Sequence, residues 1–122
     1  MTPTKRSPAE AVPALFVAAL SAQADRTEAL LVANGLKVIR ADNVCIAEIY
    51  AEAQRFAAAI YDQSLSQEEQ ASLARVMRIR WPWMRILRWV PSGDELQNED
   101  LFDWSVRNER ELADCVALRL AH

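Results

Sequence analysis

Two glycines in 122 residues leave this chain little freedom for tight left-handed turns. Strands joined by hairpins need such turns, whereas a chain poor in glycine and rich in Ala, Leu, Glu, Gln and Arg favours helices with short connections. The expected fold is therefore all-α. A single domain spans 1–122, with four to five helices, a Pro-kinked helix near residue 82, and residues 1–7 as a disordered tail. The length suffices to bury roughly two thirds of the unfolded surface, so neither a metal nor a disulfide framework is required.

Local signals supply the helix boundaries. Ser7-Pro8-Ala9-Glu10 reads as a capping box, predicting a helix whose apolar face is Val12, Leu15, Phe16, Ala19 and Leu20. Apolar positions resume at Leu30 and Leu31 and stop at Asn34-Gly35, a dipeptide suited to a helix C-cap. Leu36 to Arg40 reads as an extended connector. Asp42 or Asn43 caps a helix carrying Ile46, Ile49, Tyr50, Ala53, Phe56, Ala57 and Ile60 at three-and-four spacing. Ser66-Gln67-Glu68-Glu69 is a second capping box, and Pro91-Ser92-Gly93 ends what it begins. A last helix runs to about Leu120, interrupted by polar Asn108 and Glu109.

Residues 75 to 90 hold five of the 14 basic residues and three of the four tryptophans, without one acid. If the helix from Gln67 continues to Val90 through a kink at Pro82, then Val76, Ile79, Trp83, Ile86 and Val90 form a buried stripe. Arg78, Trp81, Arg85, Arg88 and Trp89 then share an opposite arc of roughly 100°. Arginine and tryptophan are enriched where macromolecules grip one another, so these five are the candidate partner-binding residues. A competing reading pairs the five arginines with the five acids of residues 94 to 103, Asp94, Glu95, Glu99, Asp100 and Asp103.

In a second register, Leu73, Ala74, Met77, Ile79, Met84 and Leu87 fall where the helix-turn-helix family places apolar or small residues, and residues 70–89 resemble that family. The resemblance implies a DNA- or RNA-binding regulator. Arg78 departs from it, standing where the family has a turn glycine. The net charge of −3 also opposes binding to a polyanion except through a local patch.

Catalytic and metal-binding classes find little support. The lone histidine, His122, is the last residue, and Cys45 and Cys115 lack metal-ligand spacing and read as small core residues. Glycine-rich phosphate loops and a serine elbow are missing from the sequence. The expected function is a non-enzymatic binding protein without cofactors, a regulator, adaptor or inhibitor that docks on a larger protein or self-associates. The expected location is cytoplasmic. The alternative is periplasmic, with residues 1–24 as a cleaved signal, since Lys5 and Arg6 precede an uncharged run and Ala22-Gln23-Ala24 has the small-x-small form. A membrane-contact reading of the Arg and Trp segment is opposed by its acidic neighbours.

Overall fold

The computed structural model describes residues 11–121 and shows a five-stranded, all-parallel sheet covered by helices on both faces. Strands β1 (Val12–Val17), β2 (Leu36–Ala41), β3 (Ala58–Tyr61), β4 (Arg85–Trp89) and β5 (Trp104–Val106) lie in the order 2-1-3-4-5. Between them run α1 (Ala22–Ala33), α2 (Val44–Ala53) and α3 (Gln67–Arg80), and α4 (Glu109–Cys115) follows β5, continuing into a π-helical turn, Val116–Leu120. The fold is α/β. The all-α expectation is thereby corrected.

The error has a physical source. A parallel strand buried on both faces reads as a continuous apolar run, without the alternation that marks a half-exposed strand. Leu15 and Val17 of β1 pack towards α2 and α3, while Ala14 and Phe16 pack towards α1 and α4. Ala59 and Tyr61 of β3 likewise oppose Ala58 and Ile60. Within the stretch read as an N-terminal helix, or as an export signal, Val12–Val17 is thus an interior strand of the sheet. Removing residues 1–24 would take out the strand on which β2 and β3 both pair. The first capping box lies outside the described residues.

Other boundaries follow the sequence signals closely. Asn34 closes α1 and Gly35 follows with φ +100, the left-handed geometry that glycine adopts without strain. Asn43 caps α2 through the Ile46 N–H at 2.9 Å, but α2 stops at Ala53, and Ala57 and Ile60 belong to the approach to β3 and to β3 itself. The polar interruption at Asn108 is the cap of α4, its side chain accepting from the Glu111 N–H at 2.9 Å. Ser66 and Glu69 form the expected reciprocal capping box of α3. Ser66→Ala should lower stability by about 1 kcal/mol, read as a shift of the urea midpoint at unchanged slope. No shift would mean that the cap is redundant.

The kinked helix does not form. Proline disfavours helical backbone in the residue before it, and Trp81 sits at φ −134, ψ 65, so α3 ends at Arg80 and the chain turns into β4. The helix-turn-helix register fails with it, because Leu87 is a strand residue. The two cysteines are free, Cys45 exposed and Cys115 half-buried, so Cys45 is no core residue. Burial raises the Cys115 thiol to about 11, with Arg119 pulling the other way. That keeps it protonated and poorly nucleophilic near neutral pH.

Candidate functional site

In an open parallel sheet the ligand crevice lies beyond the carboxyl ends of the strands, where the strand order reverses. Here that is the gap between β1 and β3, since β1 leads to α1 on one face and β3 leads to α3 on the other. Asp62 stands at this point, one residue past β3. Its N–H donates to the Val17 carbonyl at 2.9 Å, extending the β1 pairing, and its side chain is almost fully buried at 3% exposure. Oδ2 accepts from the Ser64 N–H at 3.1 Å, while Oδ1 has no partner among the described residues.

Around the crevice the chain cross-links its own segments. Ser64 Oγ accepts from the Ala19 N–H at 3.1 Å, tying the loop after β3 to the loop after β1. Gln70, buried on α3, donates to the carbonyls of Asp62 and Trp89, each at 3.1 Å, and so bridges the ends of β3 and β4. Arg107, just past β5, donates to the Pro91 carbonyl at 3.0 Å and to that of Asp94, holding the irregular β4–β5 connection. Gln67 adds two bonds to that connection, to the Glu95 carbonyl at 2.8 Å and from the Gln97 N–H at 2.9 Å. Together these bonds tie the segments after β1, β3, β4 and β5 to one another and to α3, a polar rim at this edge.

The five residues expected to form one binding face are dispersed. Trp81 and Trp89 are 7% and 6% exposed and pack in different clusters, Trp81 on the α2 and α3 side and Trp89 on the α1 and α4 side. Arg88 is fully buried in β4, its guanidinium 4.1 Å from the Phe102 ring centre, with Nε 2.8 Å from Ser105 Oγ. Burial pushes its pKa down; Glu99 opposes the shift and Arg107 adds to it. Arg78 braces the β4–β5 connection, donating to the Leu101 carbonyl at 3.0 Å and pairing with Asp103 at 2.9 Å. Arg85 is exposed at the start of β4.

Pairing of the arginine block with the acidic block is thus realised once, at Arg78 and Asp103. Arg80 pairs instead with Glu52 of α2. Asp62 escaped the sequence reading, although the run Ala58-Ala59-Ile60-Tyr61-Asp62, short, apolar and ended by one acid, is the signature of a buried strand arriving at such an edge.

With the buried Asp62 carboxylate as its one charged group, the crevice can be tested against a divalent cation. Its residues do not fit one. Such ions take six or more oxygens, with carboxylates anchoring them. Beyond β1 the chain offers Ala18 and Ala19, side chains without an oxygen, and no cluster of three or more His, Cys, Asp or Glu suited to a metal occurs among the described residues.

Neither a protein-family model nor a curated protein sequence matches the chain. Solved structures do resemble it. The signal receiver domain of an HD domain-containing protein from Pseudomonas fluorescens Pf-5 superposes with TM-score 0.73 at 18% identity, over 91% of this chain and 94% of that one. A CheY-like response regulator receiver domain from Methanospirillum hungatei JF-1 gives 0.72 at 21%, over 87% and 90%. The receiver domain of a sensor histidine kinase from Pseudomonas aeruginosa PAO1, with a magnesium ion coordinated in its active-site cleft, gives 0.70 at 20%, over 87% and 94%. At these identities the likeness establishes the architecture, and this chain has the α/β fold of CheY-like receiver domains.

Proposed function

We propose that this chain is a receiver-fold regulatory module that works by binding a protein partner, and that its switch-point site does not undergo metal-dependent phosphoryl transfer. The observation that carries the reading is the pairing of Ala18 and Ala19 with a buried Asp62. Receiver domains are phospho-accepting signalling domains, and here Asp62 is the carboxylate at the corresponding crevice. A carboxylate attacking a phosphoryl group meets like charge, and a cation normally offsets it. The loop after β1, Ala18 to Ser21, supplies no carboxylate for that cation, and the Ser64 to Ala19 bond ties it to the loop after β3. What persists is the scaffold, with strand ends locked by Gln67, Gln70 and Arg107.

In this reading the molecule is non-enzymatic and cytoplasmic, and no helix among the described residues is long and apolar enough to cross a membrane. The helical adaptor and the helix-turn-helix regulator are both set aside with the helix they required. Incubation with a small-molecule phosphoryl donor and magnesium should leave the intact mass unchanged. A phosphoryl adduct that disappears in Asp62→Asn would overturn the proposal and make this a working phospho-acceptor.

A further inference from the structure

The opposite edge of the sheet, away from Asp62, carries a different chemistry. An open cleft of about 480 Å³ lies at the amino ends of β1, β3 and β4, walled by Pro13, Arg55, Trp83, Arg85, Arg119 and Leu120. Among the described residues no Asp or Glu lines it. Three arginines converge there from separate parts of the chain: Arg55 from the connection between α2 and β3, Arg85 from the first position of β4, and Arg119 from the last helical turn. Among the described residues none of the three guanidinium groups has an ion-pair or hydrogen-bond partner.

Three like charges brought together without a counter-charge repel one another, and a bound anion would convert that repulsion into attraction. Two of them are already oriented. The Arg55 guanidinium lies 4.1 Å from the Trp83 ring centre, and that of Arg85 lies 5.6 Å from Trp104. A guanidinium held over a ring face keeps N–H groups available, and these suit phosphate oxygens. Trp83 is 43% exposed, so an aromatic surface borders the charged one. The cleft falls within the range of roughly 300–1,000 Å³ typical of small-ligand sites, larger than a single phosphate needs.

We propose that this cleft binds a small ligand carrying several phosphate groups, held by Arg55, Arg85 and Arg119. The net charge of −3 works against the ligand at long range, so binding must come from these local contacts.

Calorimetric titration of the full chain at low salt, with tripolyphosphate and separately with a nucleoside triphosphate, tests this. Saturable binding of either supports the site. Tighter binding of the nucleotide assigns Trp83 to a base, and equal binding assigns recognition to the phosphates alone. Arg85→Gln with Arg119→Gln should weaken the interaction about tenfold or more, whereas Arg26→Gln with Arg110→Gln, exposed arginines outside the cleft, should leave it unchanged. Absence of binding to both probes overturns the proposal. So does equal weakening by the two double variants, which would reduce the effect to overall charge.

Discussion

Replacing Trp81 and Trp89 together by alanine is expected to abolish the folded state. Each ring is buried, one on either side of the sheet, and truncating a buried tryptophan costs about 3–5 kcal/mol through lost transfer energy and the cavity left behind. Sites in separate clusters add nearly independently, so the pair should remove about 6–10 kcal/mol from a total that for domains of this kind is about 5–15 kcal/mol. Far-UV circular dichroism at 25 °C should show loss of structure, or a cooperative transition moved to much lower denaturant. A parent-like midpoint would mean that the rings are peripheral. The same double change would be silent towards folding if the two tryptophans were anchors on an outward helix face, so it separates the two architectures directly.

Arg88→Met is expected to raise stability, by about 1–4 kcal/mol. The guanidinium is fully buried, with no carboxylate in ion-pair contact among the described residues, and Nη2 has no partner. Its bonds are to Ser105 and, at 3.4 Å, to Gln67, with the Phe102 ring beneath. Burial lowers its pKa, the direction found when the site disfavours the charged form. Methionine fills a similar volume, brings no charge and packs well against an aromatic ring. Arg88→Ala should destabilise instead, because it leaves a cavity beside Phe102. If both variants destabilise equally in denaturant titrations, then the polar contacts outweigh the desolvation and Arg88 is a net structural asset.

The caps were legible because they are local. Asn34-Gly35, Asn43, and Ser66 with Glu69 each satisfy backbone groups within a few residues, so short windows of sequence locate them, whereas Asn108 read as an interruption and is a cap. The identity of the intervening segments was not legible in the same way. Val12–Val17 and Ala58–Tyr61 are apolar on both sides, and their spacing suits a buried helix as well as a buried strand. Pro82 was the strongest local clue against one long helix, because it biases Trp81 out of helical backbone; reading it as a kink carried the error through to Trp89.

The sequence by itself determined three helix caps, at Asn34-Gly35, Asn43 and Ser66, and that one segment concentrates arginine and tryptophan. Only the tertiary structure decided what that segment is for. Alternation in β4 sends Ile86 to one face and Leu87 and Trp89 to the other, and the sheet buries both faces. Parallel pairing then gathers Arg55, Arg85 and Arg119 at one edge and leaves Asp62 at the other. The physical reason is range: capping is settled between neighbours in the chain, whereas burial and charge convergence depend on which strands lie side by side.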